Sequence, residues 1–210
     1  MRAFDDALVI KGLKFGANSF DDRPVRQVRF RRCVVWCDWG RAMEIGAETC
    51  APEIADVVFE DCDIVRTTHI AMDIQHGDRA AVRDIRFENI RVEIDQDNPR
   101  PRMQRTPEEQ YQGALEDRYC PTLLEIVIRQ NNYSQDDQRG TVRDVVFKDI
   151  EVTGPHVAPS SFRGFDAEHD VAGVTIANLR FNGRTAGNAQ EGQLQIGPHV
   201  SRVQFSETCP

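Results

Sequence analysis

Val82-Arg83-Asp84-Ile85-Arg86-Phe87-Glu88-Asn89-Ile90 carries the pattern that decides the fold. Apolar residues fall at 82, 85, 87 and 90. The same spacing recurs at Val25, Val28, Phe30 and Cys33, and at Ile54, Val57, Phe59 and Cys62. It returns at Val142, Val145, Phe147 and Ile150, and at Val171, Val174, Ile176 and Leu179. A sixth copy begins at Val200, Val203 and Phe205. Successive copies start 29, 28, 60, 29 and 29 residues apart. Self-similarity at a fixed period of this size marks a repeat architecture, in which each unit buries its apolar face only against its neighbours.

Each copy alternates apolar and polar residues and is rich in β-branched and aromatic side chains, which reads as strand. A second short strand is expected in every unit, at 7–12, 42–46, 71–75, 123–128, 164–167 and 193–197. Its first inward residue would be Leu8, Met43, Met72, Leu124, Phe165 and Leu194. Cys33 to Met43 and Cys62 to Met72 are each 10 residues. The 60-residue interval reads as one repeat with an insertion at 97–120 and a longer loop near 129–140. The pattern therefore predicts an all-β chain of about six rungs, a single parallel β-helix domain over 1–210, with equivalent residues stacked about 4.8 Å apart. Cys33, Cys62, Ile90, Ile150 and Leu179 would form one column. The sequence offers a helix only around Pro107–Tyr119.

The chain has 210 residues, a formal net charge of −8 and a pI near 5.2. An acidic chain is a poor partner for nucleic acid or an anionic membrane. No apolar run is long enough to span a bilayer, and the N-terminus lacks a signal-peptide pattern. A secreted or periplasmic full-length protein would carry its address elsewhere. The six cysteines, at 33, 37, 50, 62, 120 and 209, have no zinc-like spacing. Cys33 and Cys62 are expected as stacked thiols. No metal or cofactor is called for.

Between the inward residues of the second strand lie Val9, Glu44, Asp73, Glu125, Asp166 and Gln195. Four consecutive carboxylates on one face would repel one another. They read either as a solvated acidic strip or as a groove for a substrate or cation. Asp5-Asp6, just before Leu8, sits at the mouth of that face. Paired carboxyls are what glycoside hydrolysis uses, one as acid and the other to activate water. Asp21-Asp22 and Asp136-Asp137 are read as loop residues.

Asp5-Asp6-Ala7-Leu8-Val9-Ile10-Lys11-Gly12 resembles the Asp-Asp strand of polygalacturonase-like glycoside hydrolases, which are right-handed parallel β-helices. Val34-Val35-Trp36, Gly40 and Met43-Glu44-Ile45-Gly46 are similar to the dextranase and isopullulanase relatives. The resemblance implies an inverting hydrolase in which Asp5 and Asp6 match the catalytic pair. It places a third aspartate one rung earlier, upstream of Met1. A solenoid needs capped ends, yet Met1 begins almost inside a strand and Pro210 directly follows the last one. The chain is therefore expected to be a fragment, or to start at an internal Met, and to be inactive alone for want of that aspartate. Gly40-Arg41-Ala42 stands where the family has Gly-His-Gly, and Asp73-Ile74-Gln75 stands where it has Arg-x-Lys. An anionic galacturonan would meet acids there, so a neutral poly- or oligosaccharide is the expected partner.

Arg41 is expected to pair with Asp6 across one rung, or else to form an ordinary surface ion pair. Trp39 and Trp36 are candidates for sugar stacking or for packing at a strand corner. His76 is a candidate for proton transfer or a structural loop histidine. Glu48 would line the rim, and Tyr111 and Tyr119 of the insertion could reach the site. Glu44, Asp73, Arg41, Trp39 and His76 are thus the expected substrate-binding set. The competing functions are a non-catalytic carbohydrate-binding or structural β-helix and a polysaccharide lyase.

Overall fold

The structure, a computed structural model, describes residues 1–14, 23–95, 120–155 and 157–206. The expected insertion at 97–120, with Tyr111, Tyr119 and the helix around 107–119, lies outside the described residues, apart from Cys120. So do Asp21-Asp22 and Cys209.

The described residues form strands in two sheets and no helix. The first sheet holds β1 (Arg2–Ala3), β3 (Val25–Arg31), β4 (Val34–Cys37), β6 (Glu53–Arg66), β8 (Ala81–Glu93) and β10 (Thr141–Thr153). It continues with β12 (Val171–Phe181), β13 (Arg184–Thr185) and β15 (Val200–Ser206). The second holds β2 (Leu8–Gly12), β5 (Arg41–Thr49), β7 (Ile70–His76), β9 (Thr122–Ile128), β11 (Ser160–Arg163) and β14 (Leu194–Ile196). Every pairing is parallel except β12 with β13. Parallel neighbours need a crossover. Here the strand of the other sheet supplies it, since β6, β8, β10 and β12 lie side by side with β7, β9 and β11 between them in sequence.

The repeat spacing is the hydrogen-bond register. Val25 pairs with Ile54, Ile54 with Val82, Val82 with Val142, Val142 with Val171 and Val171 with Val200. The phenylalanines of this column stack at 5.1, 4.9 and 5.0 Å from Phe30 through Phe59 and Phe87 to Phe147. Cys33 and Cys62 are free thiols, and Cys62 pairs with Ile90 in the expected column.

The two-residue gaps in the apolar pattern have a backbone cause. Strict alternation would put 82, 84 and 86 on one face, yet 82, 85 and 87 are buried while 84 and 86 are exposed. Asp56, Asp84 and Asp144 have φ of 53, 55 and 52°. Asp61, Asn89, Asp149 and Asn178 have φ of 54, 53, 53 and 55°. One left-handed residue bends the strand and shifts the alternation by one, and Asp and Asn tolerate that conformation best among residues with side chains. Their side chains also bridge rungs, with Asn89 Nδ2 donating to Asp61 Oδ1 and Asn178 Nδ2 to Asp149 Oδ1, both at 2.6 Å.

One expected strand is misplaced. The fifth strand of the second sheet is Ser160–Arg163, not 164–167. Phe162, fully buried, fills its core position and stacks 6.1 Å from Phe147. Phe165 is exposed. Asp166 therefore leaves the acidic column, where Ser161 pairs with Glu125 instead. Asp166 caps its own turn, accepting hydrogen bonds from the backbone N–H groups of Glu168 and His169.

Candidate active site

The outer face of the second sheet carries a cleft of ≈ 510 Å³. Asp5, Asp6, Lys11, Trp39, Arg41 and Glu44 line one side, and Arg129, Asn131 and Tyr133 belong to the other. Asp5 and Asp6 end the turn that feeds β2, while Trp39 and Arg41 lead into β5. Gly40 makes this approach close. A side-chain carbon there would lie 2.4 Å from the Asp6 nitrogen and 2.5 Å from its Oδ1.

Arg41 is the hub. Its backbone N–H donates to Asp6 Oδ1 at 2.9 Å. Its guanidinium lies 3.2 Å from Asp73, 3.8 Å from Glu44 and 4.0 Å from Asp6. The expected Arg41–Asp6 pair is present, but it is one arm of a cluster spanning three rungs. Two members of the strip are not solvated, Glu44 being 1% exposed and Asp73 0%, while Glu125 is partly exposed. Among the described residues, Glu44 Oε2 and Asp73 Oδ1 have no hydrogen-bond partner. Burial, then the Asp73 charge and a hydrogen bond with Asp6, push the Glu44 carboxyl up to about 9 despite Arg41. Burial and the Glu125 charge raise Asp73 as well, against the pull of Arg41 and Arg129.

The far wall is the loop after β9. Asp78, fully buried, accepts the N–H groups of Gln135 and Asp136 on one oxygen and that of Thr49 on the other. Ser134 Oγ donates to the Gly77 carbonyl at 2.7 Å, and Arg139 binds the same carbonyl. The anchored loop presents Tyr133 at 60% exposure. Asp78, Asp136 and Cys50 lie close enough together to hold an ion. Asp78, however, spends both oxygens on backbone donors, and Asp136 faces Arg79 and Arg139. That cluster is a clamp for the loop.

His76 is not in the cleft. Alternation along β7 carries Met72, Ile74 and His76 to the inner face, and His76 stacks between Ala47 and Ile128. Its Nδ1 meets Thr49 Oγ1 at 2.7 Å. Thr49 Oγ1 already accepts the N–H groups of Gly77 and Asp78, so its own proton goes to Nδ1 and the ring is neutral. Burial lowers the His76 pKa from 6.5 to about 4. The unfolded chain takes up this proton first, so the contribution of His76 to stability is whole above pH 6.5 and is lost as pH falls towards 4. Urea denaturation across that window should show stability declining with acidity, and His76→Gln should flatten the slope.

Trp36 also lies off the cleft, with Arg2 and Arg66 at 5.4 and 5.5 Å from its ring and its Nε1 donating to Asp38. Glu48 holds Lys11 at 2.6 Å. Sequence reasoning missed Arg129, Asn131 and Tyr133. The signal for them was the long 129–140 connection, because long loops on a rigid scaffold shape sites. No family model, curated protein or solved structure matches the chain.

Proposed function

We propose that the chain is a stretch of right-handed parallel β-helix, similar to the polygalacturonase and dextranase glycosidases, and that its cleft hydrolyses a neutral glycan. The observation that carries this reading is the convergence of Asp5, Asp6 and Glu44 in one cleft with Trp39 at its edge. Aromatic faces suit the apolar face of a sugar ring, and a carboxylic acid beside a carboxylate suits acid–base cleavage of a glycosidic bond. In the inverting form, one carboxyl protonates the leaving oxygen as the anomeric C–O bond breaks. The other takes a proton from the water that attacks the opposite face.

The charge balance favours a neutral sugar over a uronate. Each cation of the cleft already has a partner: Lys11 binds Glu48, Arg41 faces three carboxyls, and Arg129 donates to Gln75 Oε1 at 2.5 Å. The test is product analysis with the full-length polypeptide on neutral and anionic polysaccharides. New reducing ends of inverted configuration are expected from a neutral glycan. Binding without any new reducing end would make the protein a carbohydrate-binding module. Products absorbing in the ultraviolet would make it a lyase.

A further inference from the structure

Glu44 differs from the other acids of the cleft in being almost wholly removed from water while lying within reach of Asp6. Around it stand Arg41 on its own strand, Asp6 and Lys11 from the β2 segment, and Asp73 from β7. Behind Asp73 come Glu125 and Arg129. Lys11 and Arg129 are engaged by Glu48 and Gln75, so Arg41 is the cation directly shared among Asp6, Glu44 and Asp73. Three ionised carboxylates around one guanidinium would leave an excess of negative charge with little solvent to offset it. The cluster is relieved if one carboxyl keeps its proton.

We propose that Glu44 is that group, a positioning residue that stays a neutral carboxylic acid and donates its O–H to Asp6, fixing Asp6 as the ionised and aimed carboxylate of the cleft. The geometry selects Glu44 over Asp73. Asp73 accepts from Arg41 Nε at 3.2 Å, whereas Glu44 is 3.8 Å from the same nitrogen, beyond hydrogen-bond reach, and shares that guanidinium with Asp6 Oδ1 at 4.0 Å. The raised titration of Glu44 agrees with this arrangement. Its role in turnover rests on the glycosidase reading; its proton does not.

The experiment compares the full-length polypeptide with its Glu44→Gln variant, which keeps the shape and offers an N–H donor to Asp6. Two readouts need no substrate. At neutral pH the wild type should show the infrared band of a protonated carboxyl, and the variant should lose it. Stability should also fall in the wild type as pH rises from the ordinary carboxylate range towards about 9. The sign follows from a folded-state pKa above the unfolded one, so that the unfolded chain releases this proton first. The variant should lose most of that slope. An unchanged band, or an unchanged slope in a folded variant, overturns the proposal. Asp6→Asn is the second arm: it leaves Glu44 protonated and the band present, shifted by the altered partner. Where the wild type turns over, the alkaline limb of its pH profile should move in Glu44→Gln, a change that a merely structural residue would not produce. Absence of turnover on every glycan sinks the hydrolase reading and leaves the infrared and stability results to judge Glu44.

Discussion

Under the proposed hydrolase function, Asp6→Asn should lower glycan hydrolysis by about 10²–10⁴-fold, the range contributed by a positioned acid or base, while leaving the fold intact. Asparagine keeps an oxygen in place of Oδ1, so the 2.9 Å bond from the Arg41 N–H survives. What is lost is the capacity to carry and release a proton. The loss should therefore fall on kcat, with KM little changed, because an interaction made only in the transition state is removed. Thermal unfolding should not fall, since one negative charge leaves a cluster that has too many. Asp5→Asn should give a loss of similar size for the same reason, as the other carboxyl of the pair. Asp5 Oδ1 accepts the Asp6 N–H at 2.9 Å, and asparagine can keep that bond too. Full activity in both variants would move the chemistry out of this cleft.

The first sheet was legible because two devices in it are visible in sequence: apolar columns at fixed spacing and polar residues between them. The bends were also written there, though in residue type and not in hydropathy. Asp61, Asn89, Asp149 and Asn178 each precede the last apolar residue of the pattern, and these are the types that accept a left-handed backbone. The second sheet was harder because its strands are short and one is polar. The 10-residue spacing from Cys33 to Met43 and from Cys62 to Met72 recurs from Ile150 to Ser160. A serine there gave no apolar signal, and Gly164-Phe165-Asp166 imitated the neighbouring strands. In the site, Asp5 and Asp6 were singled out by their position before Leu8 and by the resemblance to the polygalacturonase-like pair, and rung counting placed Arg41 and Glu44 beside them. The burial of Glu44 and Asp73 could not be read that way. It depends on Arg41 folding over them and on contacts between rungs. His76 was misread by ending its strand too early, for one more step of alternation turns it inward.

The stability prediction with the largest effect concerns the aromatic column. Phe87→Ala should destabilise the protein by about 3–5 kcal/mol, the usual cost of truncating a fully buried aromatic residue. Phe87 is 0% exposed and has a stacked ring on each side, Phe59 at 4.9 Å and Phe147 at 5.0 Å. Its removal breaks both contacts and leaves a void between rungs that the hydrogen-bond ladder prevents from closing. Phe30 offers the internal comparison. Among the described residues it stands at the end of the column, is only partly buried, and stacks on one side alone, at 5.1 Å from Phe59. Phe30→Ala should cost roughly half as much or less, because its position lacks one neighbour and is already partly hydrated. Chemical denaturation measures both, and the dependence on denaturant should stay the same if the surface exposed on unfolding is unchanged. Equal costs at the two positions would mean that rung stacking is not what the phenylalanines contribute. A larger cost at Phe87 would show that each rung is stabilised by its two neighbours, as nearest-neighbour coupling along a repeat requires. The same coupling bears on the cleft: Glu44 and Asp73 are paired on neighbouring strands of the second sheet, with Asp6 in the turn just before β2, so the interval that sets the phenylalanine stack also sets the distance between these two carboxyls.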